Sequence, residues 1–391
     1  MNSIRVAVIG TGNMGYAHSN HLYNGGTAGM QLAAICDIDP AKRQNCAEHF
    51  PGIQCFEDYH ELLASGAADA VIVAVPHPLH SLIASEALRT GHHVLVEKPI
   101  DVSLSHAQAL CETAKQTDRV FAIMLNQRTS PIFRKARQIV QSGQLGQLKR
   151  SVWIITNWYR TQHYYDSGTW RATWAGEGGG VLLNQAPHNL DLWQWICGMP
   201  ESVTAFCDVA KYHRIEVEDD ATIMARYPSG ATGVFITTTG EYPGTNRLEI
   251  SGEKGKLVLE DGKLKWWKLL VPENEFRFQS TESFAHIPME YEEYIPEEKE
   301  TAHAGILQNF ANAILHGEPL ISPGPDGLNE LTISNAAYLS AWRGSVPVTL
   351  PLDTAAFDEA LAALAETSSY NPDRKSDVPK GQYSNRWQVN W

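Results

Sequence analysis

The triple glycine at 178–180 is followed by polar side chains that could bind and react with a small molecule. Glycines let the main chain approach a ligand or another backbone closely. Pro187 predicts the first turn of a helix, with its N-cap at Asn184 or Gln185. In that register Asn184, His188 and Asp191 share one helix face, and an imidazole is the side chain that titrates near neutral pH. The spacing therefore predicts a site of proton transfer.

A second reactive group is the lysine of the motif Glu97-Lys98-Pro99. This motif directly follows the apolar run 94–96, which predicts a buried strand. Ligands of open α/β sheets bind at the carboxyl ends of the strands, so a lysine held there by proline is a candidate for the reaction centre. Structural interpretations stay open. Lys98 could be an ordinary surface lysine, Asn184 only a helix cap, and Asp191 only a helix residue bonded to a neighbouring backbone.

The amino-terminal segment has the pattern of a dinucleotide-binding unit. A β-rich run at 4–9 leads into Gly10-Thr11-Gly12-Asn13-Met14-Gly15 and then into a helix-compatible stretch. The three glycines permit a tight turn, close approach of a pyrophosphate and close packing of the helix. Asp37 ends the next predicted strand, where an acid would hold the ribose hydroxyls and repel a 2′-phosphate. NAD is therefore favoured over NADP, although Lys42 and Arg43 lie nearby.

Residues 1–126 alternate between predicted strands and helices, which indicates a Rossmann domain with a doubly wound parallel sheet. Polar residues at the carboxyl ends of its strands are candidate cofactor contacts. With the glycine loop, the predicted cofactor-binding residues are Gly10, Thr11, Gly12, Asn13, Met14, Gly15, Asp37, Pro76, His77, His80, Glu97, Lys98 and Asn126.

Residues 127–352 change to runs that are typical of antiparallel strands separated by turn residues. They predict an α+β domain for substrate binding and oligomerisation, built on a large, open and mainly antiparallel sheet. The fold class is therefore α/β with a second, α+β domain. The acidic segment 273–300 is expected to be irregular, solvated surface. Residues 353–391 are predicted to form a helix and then a tail that docks through its terminal tryptophans.

Aromatic and hydrogen-bonding side chains are interleaved between the first strand of this second domain and the triple glycine. Aromatic faces suit the C–H face of a sugar or cyclitol ring, and the polar groups suit the hydroxyls at its rim. The same aromatic residues could instead belong to a core or an interface. The predicted substrate contacts are Lys98, Trp158, Arg160, His163, Tyr164, Trp170, Arg171, Asn184 and His188.

Composition limits the classes of partner. A chain of 391 residues, 43% of them hydrophobic, with no apolar run of membrane-span length, predicts a cytoplasmic globular protein of two domains. Its formal net charge of -13 argues against nucleic acid and anionic membranes as partners. The six cysteines are scattered without zinc-site spacing, so neither a metal site nor disulfides are expected.

Taken together, these motifs resemble those of the glucose-fructose oxidoreductase / inositol dehydrogenase (Gfo/Idh/MocA) family, over roughly residues 4–350. The resemblance rests on the glycine loop, on Glu97-Lys98-Pro99, and on the triple glycine followed by Asn184, His188 and Asp191. It implies an NAD(P)-dependent sugar or polyol oxidoreductase with the lysine and the histidine at the reacting carbon. Many members carry aspartate where this chain has Asn184, and asparagine can orient a neighbour by hydrogen bonds but cannot carry charge.

The predicted reaction is hydride transfer between a secondary alcohol of a sugar, glycoside or cyclitol and the nicotinamide of NAD. His188 is expected to act as the base, Lys98 to stabilise the alkoxide, and Asn184 to orient the imidazole or a second hydroxyl. One alternative is an NAD-dependent glycoside hydrolase that oxidises C3 transiently and eliminates the aglycone, with a tyrosine from 159–165 as an extra base. Another is a sugar and dinucleotide sensor without chemistry. The bare face of the open sheet predicts a homodimer or homotetramer.

Overall fold

The amino-terminal part of the chain forms the parallel sheet that the sequence predicts. The computed structural model describes residues 3–371. The strands of this sheet are β1 (Ile4–Ile9), β2 (Met30–Cys36), β3 (Gln54–Phe56), β4 (Ala70–Val73), β5 (His93–Val96) and β6 (Phe121–Ile123). Between them lie the helices α1 (Asn13–Tyr23), α2 (Pro40–His49), α3 (Tyr59–Ala64), α4 (His80–Arg89) and α5 (Leu104–Lys115). The strand order is β3-β2-β1-β4-β5-β6, and the reversal between β1 and β4 opens a crevice for a ligand at their carboxyl ends.

The second part of the chain forms an open sheet, which confirms the predicted fold class. Its strands are β7 (Leu148–Ile155), β8 (Ser202–Val209), β9 (Glu218–Arg226), β10 (Thr232–Thr238), β11 (Asn246–Gly252), β12 (Gly255–Glu260), β13 (Lys263–Leu269), β14 (Met289–Tyr294) and β15 (Val348–Thr349). They lie in the order β14-β13-β12-β11-β7-β10-β9-β8-β15. The described pairs are antiparallel except for β7 with β10, which run parallel.

Helices cover one face of this second sheet. The helices of this second part are α6 (Pro131–Gln141), α7 (Gln162–Asp166), α8 (Val181–Asn184), α9 (Pro187–Cys197), α10 (Glu273–Gln279), α11 (Ala302–His316), α12 (Gly327–Trp342) and α13 (Thr354–Glu366). Of these, α6, α8, α9 and α12 pack on the sheet. Trp193 of α9 packs on Phe235 of β10, and its indole N–H donates to the Ser151 hydroxyl at 2.9 Å. On the opposite face Phe206 and Met224 are 57% and 55% exposed, so that face stays open.

The two parts of the chain interlock through α11. Ile306 and Phe310 of this helix share a buried cluster with Val6 and Ile72 of the parallel sheet. A helix from the end of the chain therefore covers part of the amino-terminal sheet, where the sequence suggests only a boundary near residue 126. Within residues 3–371, every helix is too short or too polar to cross a bilayer. The predicted docking tail lies outside the described residues.

The acidic segment 273–300 is the place where the expectation of irregular surface is wrong. It contains α10 and the edge strand β14, which pairs with β13. Lys268 and Lys263 of β13 form ion pairs with Glu292 and Glu293 of β14. In the register of the two strands these pairs are diagonal, because Trp266 and Lys265 lie directly opposite Glu292 and Glu293. Opposite charges within reach across two strands favour pairing, and the linear sequence does not reveal this register.

Candidate active site

The glycine loop after β1 leaves room for a ligand at one position and packs tightly at the other two. A Cβ on Gly10, whose φ is +87°, would lie 2.6 Å from the Ala74 carbonyl oxygen. A Cβ on Gly15 would lie 1.8 Å from the Gly10 carbonyl oxygen. A Cβ on Gly12 would meet no described atom within 4 Å. No described side chain caps α1, so the open space at Gly12 and the helix N-terminus together suit a pyrophosphate.

Asp37 anchors the glycine loop from the end of β2. Its Oδ2 accepts hydrogen bonds from the Thr11 amide at 2.7 Å and from the Thr11 hydroxyl at 3.0 Å. Thr11 therefore faces Asp37, and its role in cofactor binding stays a prediction. Lys42 lies 3.4 Å from the same carboxylate, and the Arg43 guanidinium donates to the Asp37 carbonyl and to Glu57. Because both basic side chains already bind acceptors, this edge suits a ribose diol better than a 2′-phosphate.

Buried polar atoms at the strand ends indicate where cofactor or substrate groups would bind. The Nδ1 atoms of His77 and His188 and the Oδ1 of Asn126 have no hydrogen-bond partner within residues 3–371. Buried polar atoms are normally paired, so these unpartnered atoms are candidates for contact with a ligand. His77 is 6% exposed, and its ring lies 5.3 Å from that of Trp170 in the second domain. With the open space at Gly12, these atoms fit a bound dinucleotide.

His80 lies beneath the crevice and joins two strand-end loops. It is 1% exposed, and its ring nitrogens lie 2.7 Å from the Pro99 carbonyl oxygen and 2.9 Å from the Val75 carbonyl oxygen. These contacts use both ring nitrogens, so the structure gives His80 the role of fixing the loops after β4 and β5. Its contact with the cofactor stays a prediction.

Glu97 is turned inward as well, into a cluster that the sequence does not predict. Its Oε1 lies 2.7 Å from Nε2 of His18 in α1, and the His303 ring of α11 lies 5.8 Å from the His18 ring. Burial by itself would raise the pKa of Glu97, but the His18 hydrogen bond and the positive charge of Lys98 lower it to about 2. The cluster thus holds an ionised carboxylate directly behind the lysine.

Lys98 connects the two domains at the crevice. Its Nζ donates to the main-chain carbonyl of Asn184 at 2.6 Å, and the Lys98–Pro99 peptide is cis. His188, near the start of α9, is half-buried. Burial and the charge of Lys98 hold the pKa of His188 well below its usual range. The imidazole is therefore neutral at physiological pH.

The triple glycine packs against protein, and this packing changes the predicted helix start. A Cβ on Gly180 would lie 1.8 Å from the Glu218 carbonyl oxygen, so the backbone lies directly on β9. The Glu218 carboxylate accepts the Gly180 and Leu182 amides, both at 2.9 Å, and so caps the short helix α8. Asn184 is the last residue of α8, and Ala186 is the N-cap of α9. The prediction that Asn184 or Gln185 caps one continuous helix is therefore wrong.

Several predicted substrate contacts come together around the Tyr164 hydroxyl. This hydroxyl donates to Asn184 Oδ1 at 3.3 Å and accepts from Arg171 at 2.8 Å and from Gln185 at 3.2 Å. The Arg160 guanidinium lies 5.2 Å from the centre of the Tyr164 ring. These groups make a polar wall opposite the parallel sheet.

Two predicted substrate contacts lie elsewhere. Trp158 is 5% exposed, and its indole N–H donates to the Asn189 side chain at 3.2 Å, as a core residue would. His163 lies on the exposed surface of α7. Trp158 contacts the polar wall through Arg160, whose guanidinium lies 5.7 Å from the centre of the Trp158 ring, whereas His163 lies outside the wall.

Asp191 has a structural partner that sequence reasoning missed. Arg128 donates to both of its carboxylate oxygens, at 2.8 and 2.6 Å, and both side chains are 1% exposed. Arg128 also bonds Asp326 at 2.5 Å. The structural interpretation of Asp191 therefore holds, with an arginine in place of the expected backbone group. In the sequence, the one indication of a partner for Asp191 is that an arginine, Arg128, lies two residues after Asn126.

Comparison with known proteins assigns both domains to one family. Residues 4–125 match the family model described as oxidoreductase family, NAD-binding Rossmann fold, and residues 133–258 match the GFO/IDH/MocA C-terminal domain. Myo-inositol 2-dehydrogenase from Thermotoga maritima is 25% identical, over 86% of this chain and 96% of its own. The scyllo-inositol 2-dehydrogenase (NAD(+)) from Bacillus subtilis is 24% identical, over 90% and 98% respectively.

A solved structure extends the similarity to three dimensions. The WlbA dehydrogenase from Bordetella pertussis, in complex with NADH and UDP-GlcNAcA, superimposes with a TM-score of 0.75 at 27% sequence identity. The match covers 90% of this chain and 100% of that one. Both the parallel sheet and the open sheet are thus shared with a dehydrogenase that binds NADH.

Proposed function

Because this chain belongs to the Gfo/Idh/MocA oxidoreductase family and has its NAD-binding Rossmann domain, we propose that it oxidises a secondary alcohol of a sugar, glycoside or cyclitol. The hydride passes to the nicotinamide of NAD, and the reverse reaction reduces the corresponding ketone. Two relatives are named as inositol dehydrogenases, and the similar solved structure holds a nucleotide sugar. These names support a polyhydroxylated ring as the substrate class.

The observation that carries this proposal is the hydrogen bond from Lys98 to the Asn184 carbonyl. It brings the end of β5, in the cofactor sheet, within 2.6 Å of the segment that leads into His188. A cation and a neutral imidazole thereby face one crevice from opposite domains. Oxidation of an alcohol needs this pair of groups, since one must take the hydroxyl proton and the other must stabilise negative oxygen.

The residues of the chain orient the substrate and transfer the proton, and NAD, when bound, supplies the hydride acceptor. The neutral His188 accepts the proton of the reacting hydroxyl. Lys98 lies beside the oxygen and stabilises the alkoxide as it develops. Tyr164 and Arg171 of the polar wall hold the other hydroxyls of the ring, and Trp170 offers an aromatic face next to His77.

The open face of the second sheet supports assembly into a homodimer or homotetramer. Phe206 and Met224 expose more than half of their surface on neighbouring strands. Exposed apolar side chains on a broad sheet favour burial against a second copy. Light scattering of the wild type and of Phe206→Glu tests this, because charge on that face should release smaller species.

The activity is tested by incubating the protein with NAD and a panel of sugars, cyclitols and glycosides while recording NADH absorbance and products. We expect stoichiometric NADH formation that is lost in Lys98→Ala and in His188→Ala. Lys254→Ala and His316→Ala, both at exposed positions, are the matched controls and should behave like the wild type.

Two other results would contradict the proposal. Aglycone release without net NADH would identify an NAD-dependent glycoside hydrolase. NAD binding without turnover of any compound would identify a sensor.

A further inference from the structure

The buried carboxylate of Glu177 lies in the turn before the triple glycine, next to the asparagine of the active site. Glu177 is 2% exposed. Its Oε2 accepts the Ala172 amide at 2.5 Å, and its Oε1 accepts a hydrogen bond from Nδ2 of Asn184. Arg171 Nη1 lies 4.0 Å from Oε1. The motifs noted in the sequence leave this residue without a function.

The hydrogen bond from Asn184 to Glu177 fixes which way the asparagine amide points. Burial raises the pKa of Glu177, and the charge of Arg171 and the hydrogen bonds from Ala172 and Asn184 oppose that rise. The carboxylate form, which these contacts favour, can only accept hydrogen bonds and therefore faces the NH2 group of the amide. The carbonyl oxygen, Oδ1, then faces the other way, toward the Tyr164 hydroxyl at 3.3 Å. Because Glu177 is buried, water does not compete for its carboxylate oxygens, and protein contacts set the orientation of the Asn184 amide.

The same contact brings negative charge to the asparagine. A hydrogen bond to an anion polarises the donor amide, which makes its carbonyl oxygen a stronger acceptor. Asn184 Oδ1, the Tyr164 hydroxyl and Arg171 form a chain of hydrogen bonds along the polar wall. A hydroxyl docked at Asn184 must therefore donate its proton, whereas a carboxylate or a keto oxygen at this position would meet another acceptor.

We propose that Glu177 is a positioning residue of the active site, which acts through Asn184 to give that position the hydrogen-bonding polarity of a carboxylate. This inference rests on the proposed function for its kinetic consequence. An aspartate at position 184 would carry the negative charge itself, whereas in this chain Glu177 carries it. In this chain the carboxylate stands one hydrogen bond farther from the substrate.

The test is a charge exchange between the two positions. Glu177→Gln has one acceptor oxygen for two donors, so Asn184 loses its fixed orientation. Asn184→Asp puts two carboxylates in contact, and one of them must then hold a proton. The double variant Glu177→Gln/Asn184→Asp restores one carboxylate and one amide. Glu216→Gln is the control, because this carboxylate accepts the Trp174 amide at 2.7 Å in the same loop region but bonds neither Asn184 nor Tyr164.

We expect each single variant to lose about 10-fold to 100-fold in kcat/KM, as befits a lost hydrogen bond to a charged group. The double variant should recover most of the lost kcat/KM. The dissociation constant for NADH should stay unchanged in these variants, and the control variant should keep the wild-type kcat/KM. The loss in Asn184→Asp should grow as the pH rises from 6 to 8, because its second carboxyl is then forced to ionise. A merely structural role would not produce that pH profile.

Urea unfolding of the same variants at pH 6 and pH 8 gives a second readout that needs no substrate. Asn184→Asp should be more destabilised at pH 8 than at pH 6, and the double variant should show no such difference. Wild-type behaviour of Glu177→Gln, or additive losses in the double variant, would overturn the proposal. If Glu177→Gln does not fold, the pH dependence of Asn184→Asp decides. An equal loss of kcat/KM at pH 6 and at pH 8 would then overturn the proposal. If the wild type oxidises no compound, the proposed function fails, and the urea measurements still decide the role of Glu177.

Discussion

The buried pair Arg128–Asp191 should be one of the main determinants of stability where the two domains meet. Its two hydrogen bonds, at 2.8 and 2.6 Å, join side chains that are both 1% exposed. In Asp191→Asn the side chain keeps its shape, but it can accept only one guanidinium N–H and turns its own NH2 toward the other. We expect a loss of about 3 kcal/mol in the free energy of unfolding, since the buried guanidinium would lose its buried carboxylate and keep only the partly exposed Asp326.

The structure provides a matched control on the same arginine. Asp326 bonds Arg128 at 2.5 Å, but its side chain is 35% exposed, so water can replace it. We expect Asp326→Asn to cost about 1 kcal/mol. Urea unfolding followed by tryptophan fluorescence measures both, because Trp195 lies 5.3 Å from the Arg128 guanidinium. Equal urea midpoints for the two variants would show that burial does not distinguish the two carboxylates, and our reasoning would be refuted.

Further predictions concern the cofactor loop and the response to pH. Gly12→Ala should fold normally but lose NADH binding in a fluorescence titration, whereas Gly15→Ala should fail to fold, because its Cβ would lie 1.8 Å from a carbonyl oxygen. The variant Asp37→Ala should bind NAD more weakly. Its preference for NAD over NADP, measured as the ratio of the two dissociation constants, should decrease. Burial lowers the pKa of His303 to about 4. An unfolded histidine binds its proton near a pH of about 6.5, so the free energy of unfolding should fall as the pH drops from there toward 4. In His303→Gln the urea midpoint should fall less over the same pH range.

The sequence was informative wherever a local pattern has one physical solution. The glycine loop at 10–15 requires a tight turn and close packing, and the structure has both at Gly10 and Gly15. Alternating apolar strands and helices predicted the parallel sheet, which places Lys98 at the end of β5. The catalytic roles of Lys98 and His188 remain proposals, but the expectation that both residues lie at one crevice came from their positions in the chain.

The tertiary structure decided which partners the polar side chains have. Glu177 with Asn184, Arg128 with Asp191, and Glu97 with His18 are contacts that no spacing in the sequence specifies. α8 begins at Val181, where Glu218 from a distant strand accepts the Gly180 and Leu182 amides, and Asn184 is its last residue. The edge strand β14 pairs with β13, and lysines of β13 form ion pairs with its glutamates across the two strands. Local patterns fix backbone conformation, whereas hydrogen-bond and ion-pair partners depend on which distant groups the packed core brings within reach.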